Sequence, residues 1–358
     1  MASLPDRLAA RTLELVNVHS ESRHETEIAA LVRSLVPESF VPVYEAEVAA
    51  VYAPPRRPGV PLVVLAGHYD TVPPQDNLPG RIDDGWVVGL GSSDMKGGIA
   101  VLLELVRDLA AERVETAVDL ALLVFGREEL PASESPLPAL FEGTPLLREA
   151  ALAILLEPTD GTIEAGCVGN LNARLVFHGT SAHSARPWQG ENAISKAVAG
   201  LREIAALERR EAVVGGLTFF EVLSVTQLHA GIADNIVPDR AVAHLNYRYA
   251  PDRTPESAEA YIRSLVPGGA ELVIAGDSPP GRVVTDSPLV RALRAAGELE
   301  LRPKQAWTNV ADFTSRGLDA VNFGPGSTFY THKRDERVEI ASLVRVHEAL
   351  RRFVTGTV

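Results

Sequence analysis

Three short runs of nearly uninterrupted apolar side chains, Leu62–Ala66, Leu120–Phe125 and Ala151–Leu156, restrict the fold more than any other feature of the sequence. A strand with one wet face alternates apolar and polar residues. These runs do not alternate, which suits strands covered on both faces by helices. Helical patterns surround them: residues 5–18, Glu25–Leu35 (stopped at Val36-Pro37), Met95–Ala110, Pro288–Glu298 and Ile340–Val354, with a further strand at Ala320–Phe323. The middle of the chain follows another order. Asn172–Phe177, Leu217–Leu228, Ala241–Tyr249 and Glu271–Ala275 read as strands, and Glu191–Leu207 and Pro255–Leu265 as helices. That is β-α-β-β-α-β, the pattern of a small two-layer unit. The expected architecture is an α/β domain, a mixed sheet flanked by helices, over residues 1–169 and 279–358, interrupted by an inserted α+β domain over 170–278. A chain of 358 residues is ample for both.

Charge and cysteine usage narrow the function. With 34 basic against 47 acidic residues the formal charge is −13, which repels a phosphate backbone and argues against a nucleic-acid partner. A single cysteine, Cys167, excludes an internal disulfide and a thiolate-rich zinc site, and reads as a small buried side chain. No run approaches the roughly 20 apolar residues of a membrane span. Residues 1–6 show no basic or apolar signal region, so the expected setting is the cytoplasm, with no membrane partner.

The chemistry gathers where the predicted strands end. His68 and Asp70 follow the first run, Glu128 and Glu129 the second, and Glu157 the third, while His332 follows the strand at Ala320–Phe323. Asp94 stands just before the helix of Met95–Ala110. Ligands of open α/β sheets bind outside the carboxyl ends of the strands, so these groups are expected to converge. Taken singly each has a bland reading: Asp94 as a helix cap, Glu128-Glu129 as a wet loop, His68 and His332 as structural histidines, Glu157-Pro158 as a turn. Taken together they repel one another unless a cation sits among them. A nitrogen and oxygen donor set without thiolate suits zinc, cobalt or manganese. Two metals would need a bridging carboxylate and would share a water, with one glutamate of the adjacent pair on metal and its neighbour taking the water's proton. Asp70, two residues after His68, is placed to accept the imidazole's other N–H. Gly89-x-Gly91-x-x-Asp94 falls short of a dinucleotide fingerprint, His24-Glu25 lacks the second histidine of a zincin helix and is expected on a helix surface, and no G-x-S-x-G elbow occurs.

These strings resemble the dizinc aminoacylase/carboxypeptidase family of metallopeptidases. The resemblance rests on Gly67-His68-Tyr69-Asp70-Thr71-Val72-Pro73, Gly91-Ser92-Ser93-Asp94-Met95-Lys96-Gly97-Gly98, Glu128-Glu129, Glu157-Pro158-Thr159 and His332, and extends over nearly the whole chain. It implies two divalent metal ions, zinc first and cobalt as the alternative. His68 and Glu157 would hold one, Glu129 and His332 the other, and Asp94 would bridge them. Glu128 would be the general base and Asp70 would orient His68. The inserted domain would be a dimerisation lid, making the protein a homodimer, with His183 polarising the scissile carbonyl from the partner subunit. Asn235 and Arg248 would contact substrate carboxylates. Within the family, Asp76-Asn77-Leu78-Pro79, Ala182-His183-Ser184-Ala185-Arg186 and Asn322-Phe323-Gly324-Pro325-Gly326 resemble the branch that removes succinyl from N-succinyl-LL-2,6-diaminopimelate. The alternatives are a relative acting on N-acetylornithine, another N-acyl amino acid or a dipeptide, and a non-catalytic, metal-binding dimeric interaction protein. Cys167-Val168-Gly169-Asn170 and Val310-Ala311-Asp312 depart from that branch where substrate is expected to bind.

Overall fold

In the computed structural model, which describes residues 2–357, the three apolar runs are adjacent strands. The eight-stranded sheet has the order Val41–Glu45, Ala49–Ala53, Asp119–Phe125, Leu62–His68, Ala150–Leu155, Ala320–Asn322, Ile163–Ala165, Leu301–Pro303. From Asp119–Phe125 to Ala320–Asn322 the neighbours run parallel. The Val41–Glu45, Ala49–Ala53 and Ile163–Ala165 strands pair antiparallel, so the sheet is mixed, as expected. Every residue of Leu62–His68 and Asp119–Phe125 is buried, which is why these runs carry no polar alternation. Helix Gly97–Glu112 packs on Leu62–His68 and against helices Leu4–Val16 and Ile340–Thr355. Because the central strands are parallel, His68, Phe125, Leu155 and Asn322 all end at one edge, and the segments that follow them become neighbours.

The segment around Asp94 differs from the helix expected at Met95–Ala110. The α-helix starts at Gly97, and Ser92–Lys96 forms a separate wider turn in which Asp94 (φ −124°, ψ 95°) and Met95 leave helical geometry. Glycine explains how the helix begins where it does. A Cβ on Gly98 would lie 2.3 Å from the Leu156 carbonyl oxygen, so only glycine lets this first turn press on the chain just before Glu157. The reading also omitted the hairpin of Val41–Glu45 with Ala49–Ala53, and the three-stranded sheet of Arg81–Asp83, Trp86–Val88 and Arg337–Glu339. Strands of three residues are too short to display a period. Glu25 is not on a helix surface: it is 2% exposed, beside Gly126.

Contacts divide the chain into two units: the described residues up to Ala165 with Val284–Arg302 and those from Asp312 on, and Gly166–Val283 with Pro303–Ala311. The second unit is a five-stranded antiparallel sheet ordered Arg210–Val214, Leu217–Ala230, Arg240–Tyr249, Gly169–His178, Ala270–Ser278. Helices Ala193–Ala205 and Pro255–Ser264 contribute Ala197, Leu201, Ala258 and Ile262 to one core with Leu171, Leu245 and Tyr247 of the sheet. Strand Arg240–Tyr249 shows the two-layer logic: Ala241, Ala243, Leu245, Tyr247 and Tyr249 are buried, while Val242, His244, Asn246 and Arg248 between them are only partly so. Residues 303–311 join this unit rather than the first. The Thr308 carbonyl lies 3.6 Å from Cys167 Sγ, and Cys167 pairs with Gly281, contacts no local sequence period could announce. Burial pushes the Cys167 thiol up to about 11, in keeping with an inert packed side chain.

Gly98→Ala tests the close approach beneath Glu157. Alanine is the better helix former by about 1 kcal/mol, yet the added methyl meets backbone and should cost about 1–3 kcal/mol. The net expectation is a lower Tm by calorimetry; an unchanged or raised Tm would show that the strand end yields freely.

Candidate metal centre

The parallel strand ends deliver the acids and histidines to one place. His68 is the last residue of its strand, Glu128 and Glu129 lie in the bend after Asp119–Phe125, and Glu157 follows Leu155 by two residues. Asp94 comes from the Ser92–Lys96 turn, and His332 from the turns between Ala320–Asn322 and Arg337–Glu339. Two triads result whose ligand atoms lie within 4.8 Å of one another: His68, Asp94 and Glu157, and Asp94, Glu129 and His332. Asp94 belongs to both, and its two oxygens face opposite ways. Oδ1 is 3.2 Å from His68 Nε2, and Oδ2 is 3.5 Å from His332 Nε2. His68 Nε2 also lies 3.9 Å from Glu157 Oε1, and His332 Nε2 2.9 Å from Glu129 Oε1.

Asp70 ties the arrangement together. It is fully buried, and the His68 Nδ1 edge faces its backbone carbonyl at 3.2 Å and its Oδ1 at 3.4 Å. Its Oδ1 accepts the Glu128 N–H (3.1 Å), and its Oδ2 accepts the Glu129 N–H (3.2 Å) and the Ser22 hydroxyl (2.7 Å). One carboxylate therefore orients a histidine of the first triad and the backbone of both glutamates. The Glu128 carboxylate accepts no hydrogen bond from the described residues; water can reach it, although protein surrounds it densely.

Electrostatics show that the cluster favours positive charge among its acids. Burial pushes the Glu128 carboxyl well above the usual carboxylate range, and Glu157, Glu129 and Asp94 push it further against the opposing pull of His68. His332 is raised to about 9 by its hydrogen bond to Glu129, against its burial. Burial favours a neutral His68, but hydrogen bonds to Asp70 and Asp94 and the charges of Glu128 and Glu157 outweigh it and raise its pKa. Burial also disfavours a charged Asp70, yet the hydrogen bonds from His68 and Ser22 keep its pKa low. With Nδ1 of His68 donating to Asp70, a neutral ring points the Nε2 lone pair at two acceptors, which needs a proton or a cation between them. Three carboxylates and two imidazoles without a thiolate, the members of the two triads, fit divalent cations.

His183, Asn235 and Arg248 lie in the second unit. His183 is exposed, and its Nδ1 accepts the Ala185 N–H at 3.0 Å; the Ser184 N–H donates to the Asn235 carbonyl at 2.9 Å, so His183 and Asn235 are neighbours. Arg248 is half-buried, and its Nε donates to Asn246 Oδ1 at 3.0 Å. Asn246 in turn donates to Asn170 Oδ1 (2.7 Å) and Asn172 Oδ1 (2.9 Å). With no carboxylate of the described residues beside it, Arg248 has its pKa lowered by burial. The sequence reading missed the residues that hold the site's loops. Gln75 Nε2 donates to the His332 carbonyl (3.1 Å) and Asn77 Nδ2 to that of Lys333 (3.2 Å), steadying a histidine whose φ is +58°. Asn77 stood in a string singled out without a role; Ser22 and Gln75 gave no signal. Gly91 serves packing rather than a phosphate: at φ +77°, a Cβ there would lie 2.7 Å from Thr71 Cγ2.

Comparison with known proteins agrees with this geometry. The sequence pattern of peptidase family M20/M25/M40 matches residues 64–356. A succinyl-diaminopimelate desuccinylase of Corynebacterium glutamicum is 36% identical over 355 residues, 96% of this chain and 95% of that protein. The solved structure of an M20 family metallo-carboxypeptidase from Sulfolobus solfataricus has the same fold, with TM-score 0.78 and 18% identity over 97% of this chain and 98% of that one. That of a dinuclear metal-binding M20 peptidase from Bacillus subtilis covers 99% of each chain at TM-score 0.70 and 16% identity. Identity of this extent over nearly the whole of two chains, under a family pattern that spans every strand end described above, means that the chain belongs to peptidase family M20/M25/M40.

Proposed function

We propose that the protein is a metal-dependent amide hydrolase that removes succinyl from N-succinyl-LL-2,6-diaminopimelate, a step toward diaminopimelate and lysine. The observation that carries the hydrolase reading is Asp94, whose two oxygens address two separate histidine and glutamate sets. His68 and Glu157 would hold one cation, Glu129 and His332 the other, and Asp94 both, with zinc first and cobalt as the alternative. When bound, the cations supply Lewis-acid polarisation of the amide carbonyl and make a nearby water more acidic. Glu128, unengaged and held beside Glu129 by Asp70, takes the proton from the attacking water and delivers it to the departing amine.

The substrate assignment is supported by the desuccinylase of C. glutamicum at 36% identity. The half-buried Arg248, held by Asn246 and beside no acid among the described residues, suits a carboxylate of the substrate, and Asn235 would contact a second polar group. We further propose that the protein is a homodimer through the second unit, with His183 donating to the developing oxyanion in the partner's site. Among the described residues no helix is long and apolar enough to cross a membrane.

Chelation should abolish hydrolysis of the succinyl substrate, and zinc or cobalt should restore it. Full turnover by protein that elemental analysis finds metal-free would end the reading. Succinyl-diaminopimelate should be cleaved well ahead of N-acetylornithine or a dipeptide; the reverse order would keep the chemistry and change the substrate.

Glu128→Gln should retain both metals and lose about 10²–10⁴ in kcat, because an amide cannot take the proton. Glu129→Gln should instead lower metal occupancy. The opposite pattern would exchange the two roles.

His183→Ala should lose a transition-state donor worth about 3 kcal/mol. Mixing it with Glu128→Ala and allowing subunit exchange leaves, in each hybrid dimer, one site with Glu128 from one chain and His183 from the other, so activity should reappear. No recovery despite demonstrated exchange would remove His183 from the partner's site.

A further inference from the structure

We infer that Glu336 is a positioning residue that holds Asp94 and His332 as one unit, and so sets how firmly the more exposed cation position is occupied. The inference rests on the two-cation reading above. Glu336 is 1% exposed and lies four residues after His332. Its Oε1 accepts the backbone N–H of Ser93 and that of Asp94, each at 3.0 Å. Its own carbonyl accepts the Gly89 N–H at 2.9 Å, so main chain and side chain both grip the segment leading to Asp94. At the other end of the His332 stretch, the Ser327 N–H donates to Ser93 Oγ (3.0 Å), and that hydroxyl donates to the Ser327 carbonyl (3.1 Å). Residues 327–336 are thus fastened at both ends to the turn that presents Asp94.

Burying a carboxylate is costly unless its acceptor capacity is used. Here it is spent on the two amides of a turn that leaves helical geometry at Asp94, amides with no helical partner of their own. Glu336 belongs to neither triad. Lys96, 2% exposed, donates from Nζ to the Val18 carbonyl at 3.1 Å.

The two triads depend on this clamp unequally. The outer set takes both Asp94 and His332 from the clamped segments, whereas the inner set takes only Asp94. His68 and Glu157 are fixed by strand ends, and Asp70 adds its hold on His68. Exposure follows the same division: the His68 side chain is 1% exposed and that of His332 50%. Loss of the Glu336 acceptor should therefore loosen the outer cation first.

The test is zinc binding to the full chain by equilibrium dialysis with elemental analysis, alongside the cobalt absorption spectrum, for the wild type, Glu336→Gln and Glu336→Ala. The wild type should bind two cations. Glu336→Gln keeps an acceptor oxygen at the same reach and should also bind two. Glu336→Ala should hold the outer cation about 10–100-fold more weakly, with a smaller change at the inner position. At saturating zinc it should recover kcat with KM unchanged. If alanine prevents folding, Glu336→Asp, which draws the acceptor back by one methylene, should show the same selective weakening. A folded Glu336→Ala protein with both affinities unchanged would overturn the inference, as would Glu336→Gln behaving like the alanine variant. A wild type that binds no cation pair would instead overturn the two-cation reading, so the two failures are distinguishable.

Discussion

Mutual repulsion among Asp94, Glu128, Glu129 and Glu157 is the constraint on which the catalytic end of this molecule depends. Two like charges about 4 Å apart at an effective dielectric near 20 cost on the order of 4 kcal/mol, and several such pairs would spread any flexible arrangement. The chain resists by presenting the acids from backbone that has little freedom to retreat. Parallel strands end together, and glycines let the segments beyond them touch. A Cβ on Gly98 or Gly324 would lie 2.3 or 2.2 Å from the Leu156 carbonyl oxygen, so helix start and loop close on the residue before Glu157 from both. The charge held together in this way is what makes a pair of divalent cations fit.

The same constraint explains the work of Asp70. A carboxylate added to a site already rich in negative charge is useful only if it is fully occupied by donors. Asp70 faces His68, accepts two backbone amides and takes the Ser22 hydroxyl, which is why it stays ionised despite complete burial. Glu128 is treated in the opposite manner. Its backbone is held while its carboxylate is left unengaged among like charges, so it has every reason to accept a proton. Two acids gathered beside the same histidine thus acquire opposite chemistry from their hydrogen bonds.

The second unit packs its sheet against two helices. Alternate residues of Arg240–Tyr249 face the helices, and the opposite face carries a ladder of amides from Asn170, Asn172 and Asn246 leading to Arg248. Neutral amides can steady a guanidinium without neutralising it.

By itself the sequence determined the fold class, the order of the main strands and helices in both units, and the identity of the acids and histidines at the strand ends. Each is written in local periodicity: unbroken apolar runs such as Leu62–Ala66 mean buried strands, and a polar residue ending such a run must lie at the sheet edge. Tertiary structure decided the rest. Local pattern does not record that Met95 lies outside the helix, which starts at Gly97, that residues 303–311 pack with the inserted unit, or that Glu25 is buried. Nor could spacing disclose that Glu336 would reach the amides of Ser93 and Asp94, or Asn77 the carbonyl of Lys333. Those hydrogen bonds join residues more than 200 positions apart, and they exist only because parallel strands bring their carboxyl ends to the same place.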